Sequence, residues 1–416
     1  MPECRWSPRR WGSSWRSSRT RTGELPPARA TLGPVTVPVA GRCSRGKGGG
    51  RIHPGAASTA GPGSRARQTS VRLSAGEALI EGPLKGYHHE TYAFPLPGAD
   101  GGAGSVRWKC REPRDGVLWF DRRWFASEGA LIRALSGRVA SVPEIMLVDG
   151  IGLQRFIEGT TLGAFGGPGS AVAERHLRQL ERLFGELAAI GPGALGVEPL
   201  GAADTAVGDG DCAGFAAELL RFTEEQVRQA HLPHHGELFR ALGVPEDGLT
   251  RLARRMGSLT GRPFCLLHGD LHRENFVVDG HDRLWTIDWE LAAFGDPLYD
   301  LATHLHLMRY PARQEAVVAR RWREAVERVL PGGSAGWRED LPRLLAYKRV
   351  QSVYTDIVRA GIGTGRDPLD LRTLCDTAYK LESVLGRAAA VLGMRRPPGV
   401  REIAAALLRR RRTAGT

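Results

Sequence analysis

The chain has 416 residues, 42% of them hydrophobic and 25% charged, which is enough to build one large core or two medium ones and excludes a wholly disordered protein. Apolar segments are broken by Arg, Glu or Gly every few positions and none approaches a membrane-spanning length. The formal charge of +13 sits mostly in residues 1–70, which carry +11, so the remaining residues are nearly neutral and present no general nucleic-acid-binding face. Six scattered cysteines with no C-x-x-C pair point to a reducing, cytoplasmic setting and no structural zinc.

In chain order, residues 1–72 come first. They are rich in Arg, Gly, Ser and Pro and lack hydrophobic periodicity, so a disordered tail is expected. A twin-arginine signal at Arg9-Arg10, an organellar transit peptide and a nucleic-acid-binding arm are the functional readings of this segment. No signal-length apolar stretch follows Arg9-Arg10. Upstream sequence translated from an early start codon, with the protein proper beginning near Val71, is the plainer reading.

Residues 73–158 have strand texture, with runs at 78–84, 91–97, 105–111 and 117–120 punctuated by Gly/Pro/Asp turns. A helical pattern at 124–135 and strands at 144–148 and 153–156 follow. Residues 159–416 are mainly helical, with amphipathic stretches at 172–190, 216–231, 248–256, 311–329, 341–358, 371–392 and 401–411. One island of strand texture interrupts them at 263–267, 276–278 and 283–287.

That island holds the densest polar cluster in the chain: His268-Gly-Asp270-Leu-His272-Arg-Glu-Asn275, then Ile287-Asp288-Trp-Glu290, then Gly295-Asp296-Pro-Leu-Tyr-Asp300. Phosphoryl transfer needs a carboxylate to orient the attacking hydroxyl and a few oxygen ligands for Mg²⁺. An H-x-D-x-x-x-x-N loop leading through a hairpin to a second Asp supplies that set. Composition sharpens the reading, because the chain has 53 Arg against five Lys and a single Asn, Asn275, which stands at the metal position.

HGDLHRENF with IDWELAAFGDPLYDLA resembles the aminoglycoside phosphotransferase and choline kinase family, over roughly residues 76–390. The resemblance implies an α+β, protein-kinase-like two-lobed fold, with a small antiparallel-sheet N-lobe and a mainly helical C-lobe. It makes Asp270 the catalytic base-like residue, Asn275 and Asp288 the Mg²⁺ ligands, His268 a brace of the loop, and Asp296 and Asp300 structural supports. Arg273-Glu274 stands where the family often has Pro-Gly, a departure that bears on the rim of the acceptor site. A fold of this kind also needs a strand cation and a helix carboxylate, and Lys109 and Glu128 have the order and spacing of such a pair. The phosphate-covering loop falls at Gly86 to Thr91, and residues 154–158, with Gln154 and Phe156, at the adenine-binding hinge. ATP or GTP is the implied co-substrate, and the oligomeric state stays open.

An aminoglycoside acceptor requires acidic walls, for which Asp204, Asp209, Asp211, Glu218, Glu224, Glu225 and Glu290 are the candidates. An amino alcohol, a sugar or a natural-product intermediate is the other acceptor reading. A kinase-like protein that binds nucleotide or a partner without turnover, and a nucleic-acid-binding protein acting through the tail, are the rivals from other classes. His231, His234 and His235 read as a surface loop rather than a metal site, and His304 and His306 as structural.

Overall fold

The computed structural model describes residues 64–414 except 75, 85, 87, 97–105, 115–116, 201–206 and 365–369. The expectations for residues 1–63 lie outside the described residues. The tail expected to reach residue 72 ends earlier, because Arg65–Leu73 forms helix α1. Ser64 caps it by accepting from Arg67 N, and Ala66, Ser70 and Leu73, spaced for one face, are buried. The surrounding Arg-rich composition masks this stripe in the sequence.

The small lobe is a four-stranded antiparallel sheet in the order β1-β2-β4-β3, formed by β1 (His89–Pro95), β2 (Arg107–Pro113), β3 (Ile145–Val148) and β4 (Ile151–Arg155). Alternation along the strands gives it two unlike faces. Phe94, Trp108, Cys110 and Leu153 pack with Leu73 of α1 on the outer face. Thr91, Lys109, Arg111 and Gln154 belong to the other face, where helix α2 (Glu128–Leu135) follows. The run at 78–84 is not a strand: a short 3₁₀ turn at Glu77–Leu79 gives way to one isolated bridge, Glu81 to Ala93, and Pro83 has no N–H with which to extend it. Residues 117–120 are also irregular.

The chain enters the large lobe through β5 (Gly159–Thr161), which pairs with β7 (Phe276–Asp279) beside β8 (Leu284–Thr286). A Cβ at Gly159 would lie 2.3 Å from the carbonyl oxygen of Val278, so only glycine permits this approach. Strand β6 (Cys265–Leu267) pairs with β9 (Ala293–Gly295). Around these short strands pack α3 (Glu174–Ala188), α4 (Cys212–Phe222), α5 (Ala230–Ala241), α6 (Gly248–Met256), α7 (Pro297–Met308), α8 (Ala312–Val329), α9 (Trp337–Gly363), α10 (Leu371–Leu392) and α11 (Val400–Ala414). One apolar core, including the fully buried Trp289, Trp322 and Tyr347, joins α2 to the helices of the large lobe. His231, His234 and His235 are helical rather than a loop. They lie in α5, where Pro233 lacks the N–H of a regular α-turn and a π-helical stretch, Thr223–Gln229, precedes it. No helix of the described residues is long and apolar enough to cross a membrane.

Candidate active site

The polar cluster is assembled by the turn between β6 and β7 and by the segment after β8. Gly269 takes φ +80°, and a Cβ there would meet the Leu291 carbonyl oxygen at 2.5 Å, so glycine allows the sharp turn that presents Asp270. Asn275 donates its side-chain nitrogen to the Asp270 carbonyl (2.9 Å) and to Asp270 Oδ2 (3.1 Å). This fixes the amide orientation and leaves Asn275 Oδ1 with no hydrogen-bond partner among the described residues.

His268 is fully buried, and burial lowers its pKa to about 4, so the ring is neutral. Its Nδ1 accepts from Asp270 N (3.3 Å) and its Nε2 donates to the Ile287 carbonyl (3.2 Å), tying the loop to the residue before Asp288. Asp300 on α7 accepts from the backbone N–H groups of His268 (3.1 Å) and Gly269 (2.9 Å). Burial outweighs those bonds and raises its pKa to about 6. His304, also on α7, holds the Leu271 carbonyl (3.0 Å) and the Tyr310 hydroxyl (2.9 Å). Asp296 caps α7 and forms a buried pair with Arg262, which also bonds Asp340. Arg273 turns inward to the carbonyls of Met308, Gly166 and Ser170, and Glu274 accepts from Thr161 on β5. The departure from Pro-Gly therefore anchors the loop to β5 and to the end of α7.

Asp288 adopts φ +68°, an uncommon conformation for a non-glycine residue. Its Oδ1 lies 2.9 Å from Arg111 Nη2. Arg111 Nη1 in turn binds both carboxylate oxygens of Glu128 (2.8 and 2.6 Å), and Glu128 accepts from Trp289 N (2.9 Å). The strand-to-helix ion pair is thus Arg111–Glu128, not Lys109–Glu128. Residues two apart on β2 share a face, and the longer guanidinium fork bridges Glu128 and Asp288 together. Lys109 has no hydrogen bond or ion pair among the described residues. Burial and the neighbouring Arg111 outweigh Glu128 and Asp288 and lower its pKa to about 8.

Gln154 stands opposite Lys109 in the sheet register, buried, with neither amide atom partnered among the described residues. Thr91 is opposite Arg111. Gly86 begins the loop expected to cover the phosphates, and its neighbours 85 and 87 are outside the described residues. The N–H of Phe156 is already donated to the Arg107 carbonyl (2.9 Å) and its ring lies under the Arg107 guanidinium (4.4 Å), so Phe156 offers the adenine no free donor.

Further along that loop, His88 Nδ1 hydrogen-bonds Glu290, and His89 Nδ1 lies 3.1 Å from its other oxygen. The His88 ring stacks on Trp119 at 4.2 Å. Burial works against the Glu290 carboxylate, but the two histidines prevail and bring its pKa down to about 2. Arg111, His88 and His89 were not singled out from the sequence. The signal for Arg111 was its even spacing from Lys109 on one strand, whereas nothing local joins His88 to Glu290. His272 completes the loop: its Nε2 is 3.3 Å from Asp270 Oδ2, and although burial opposes it, that carboxylate keeps its pKa above the ordinary value.

Beside the turn between β6 and β7, with Gly269 and Leu291 in its wall, opens a cavity of about 360 Å³. The acids expected to line an acceptor site are engaged elsewhere. Asp211 caps α4, Glu218 and Glu225 bind Arg221, Glu224 binds Arg228, Glu290 is held by the histidines, and Asp209 accepts from Phe264 N (2.6 Å). Asp204 is outside the described residues.

The model of the phosphotransferase enzyme family (APH) matches residues 86–339, more than half of the chain. The chain belongs to the phosphotransferase enzyme family. Within that family's span lie His268, Asp270, Asn275, Asp288, Asp296 and Asp300 and most of the residues that line the cavity. Among solved structures, a provisionally assigned aminoglycoside phosphotransferase from Ralstonia eutropha is 15% identical with a TM-score of 0.51, covering 79% of this chain and 97% of that one. A choline/ethanolamine kinase family protein from Mesorhizobium loti is 18% identical with a TM-score of 0.48, covering 82% and 97%. A search of curated proteins found no match. The two-lobed, protein-kinase-like architecture of this phosphotransferase, a small antiparallel sheet set against a helical lobe, is the one the polar motifs implied.

Proposed function

We propose that this phosphotransferase moves the γ-phosphate of ATP or GTP to a hydroxyl group of a small molecule. The observation that carries the reading is the Asp270–Asn275 pair. Asn275 holds the Asp270 carboxylate through its nitrogen and thereby turns its own carbonyl oxygen outward. Asp288 engages Arg111 through one oxygen and keeps the other. One amide oxygen and one carboxylate oxygen fit Mg²⁺, which takes few protein ligands when it bridges phosphates. Mg²⁺ bound by Asn275 and Asp288 would offset the charge of the nucleotide phosphates. Lys109, without a partner of its own, fits a phosphate oxygen, and the buried amide of Gln154 fits the base or ribose edge behind it.

In the transfer, Asp270 accepts a hydrogen bond from the acceptor hydroxyl and aligns its oxygen with the γ-phosphorus. The new O–P bond forms as the bond from the γ-phosphorus to the β,γ-bridging oxygen breaks, and that oxygen leaves with the electron pair on the nucleoside diphosphate. The hydroxyl proton passes to Asp270 and then to solvent. His268 and Asp300 act by holding the loop.

The test is Mg²⁺-dependent nucleotide consumption by the full chain across a panel of hydroxyl compounds, with Asp270→Asn as the blank. Acceptor-stimulated turnover lost in the variant is expected. Undiminished transfer by Asp270→Asn would overturn the assignment, and nucleotide binding without transfer to any acceptor would favour a non-catalytic binding protein.

A further inference from the structure

We infer that the acceptor is a bulky apolar alcohol carrying at most one charge, not a polycationic amino sugar or a small quaternary amine. The inference rests on the phosphotransferase reading above. Its basis is the wall of the cavity beside Gly269. Trp124, Phe215, Phe222, Phe264, Leu291 and Phe294 make that wall largely carbon, contributed by the segment before α2, by α4, and by both members of the β6–β9 pair and their flanks. At about 360 Å³ the space suits a body of several fused rings rather than one amino alcohol.

The three acids that reach it are all engaged. Asp121 accepts from Gln351 (2.7 Å) with Lys348 3.7 Å away, Asp209 accepts from Phe264 N, and Glu218 binds Arg221 and lies 3.8 Å from Arg122. A polycation could bring one ammonium to the exposed Asp209 or the partly exposed Glu218, but would have to bury each further ammonium against carbon, where an unpaired charge is strongly disfavoured. A quaternary amine would compete with the Arg122 guanidinium, which already lies over Trp124 at 5.3 Å, and would leave most of the space unfilled. An apolar body meets neither obstacle, because the wall hydrates poorly and its gain grows with buried area. Gly269 precedes Asp270 in the chain, so the hydroxyl belongs at that end and the apolar body extends toward Trp124 and Phe222.

The decisive experiment compares cyclohexanol, 2-decalol and testosterone with kanamycin, choline and glucose, using the full chain. Binding is read by calorimetry without nucleotide, and transfer by labelled phosphate from Mg·ATP and Mg·GTP. Affinity in the alcohol series should rise roughly tenfold for about every 55 Å² of added buried apolar area, and transfer efficiency should follow that order. Leu195→Trp, which places a larger ring in the wall, should raise the testosterone KM at least roughly tenfold without a matching change in nucleotide KM. Should that variant fail to fold, Leu219→Ala, which enlarges the same space, should shift preference toward the larger alcohols. Preferred binding of or transfer to kanamycin, choline or glucose overturns this inference and leaves the phosphotransferase reading intact. Saturable alcohol binding with no transfer from either nucleotide removes the acceptor role and counts against the phosphotransferase reading as well. Absence of any alcohol binding overturns the inference whatever the nucleotide does.

Discussion

The catalytic loop and the cavity beside it meet at Gly269 yet are built on opposite terms. In the loop, Asp270, Asn275 and His268 are held by directional hydrogen bonds, and the buried His304 and Asp300 exist to hold backbone atoms. In the cavity, aromatic and aliphatic side chains form the wall and the few polar groups are tied up among themselves. A reacting centre needs atoms fixed within tenths of an ångström, which hydrogen bonds enforce, whereas a binding wall needs area and shape, which carbon supplies. The same acidic residue type therefore stands in two settings: Asp270 stays partly exposed, as the proposed transfer requires, while Asp296 and Asp340 are closed off as partners of Arg262.

The largest test of that contrast is Asp270→Asn, expected to lower kcat by about 10²–10⁴ while nucleotide binding is retained, since an amide keeps one oxygen to accept from Asn275 but cannot take the hydroxyl proton. Single-turnover transfer and calorimetry measure the two quantities, and an equal loss in both would merge loop and nucleotide site into one function. Next is Arg262→Met, which strands two fully buried carboxylates and should cost about 3–5 kcal/mol in urea denaturation. A loss under about 1 kcal/mol would show that those acids are not structural, and would reopen the question of acidic walls.

Asp300 sharpens the comparison through pH. Its folded pKa of about 6 exceeds the unfolded value, so the native state binds more protons between roughly pH 4 and 6. Its contribution to stability is present below about pH 4 and lost as pH rises through about 6, a change of roughly 3 kcal/mol. The stability gap between the native chain and Asp300→Asn should therefore narrow over that window, and a constant gap in denaturation at the two ends would refute the buried, loop-holding carboxyl. The smallest effect is expected at Lys109. Its pKa of about 8 means that the ammonium loses its charge as pH rises past 8, so nucleotide affinity should weaken severalfold toward pH 9. Lys109→Met should abolish that dependence, and an unchanged profile would move the phosphate contact to Arg111.

The residues of the proposed reaction centre were legible where they stand close in sequence. Asp270 and Asn275 are brought together by five residues of loop, and the hairpin back to Asp288 follows from two short strands, so the local chain alone nearly settles their meeting. The Lys109–Glu128 expectation missed because both candidates on β2 face the cleft and only the packed distance selects Arg111. The helix at Arg65–Leu73 was hidden for the same kind of reason: its three buried positions matter only once a sheet face stands opposite them.

By itself, then, the sequence determined the family and the two-lobed plan and pointed to the proposed reaction centre, because each is written in contiguous motifs and in periodicity over single elements. Only the tertiary structure decided the partner of each charge and the character of the acceptor wall. Trp124, Phe215, Phe264 and Phe294 come from four separated segments, and Asp209, Glu218 and Glu290 are engaged by groups far away or newly adjacent on folding. Whether a carboxylate greets a ligand or closes an ion pair depends on distances of a few ångströms, and those are set by packing rather than by order along the chain.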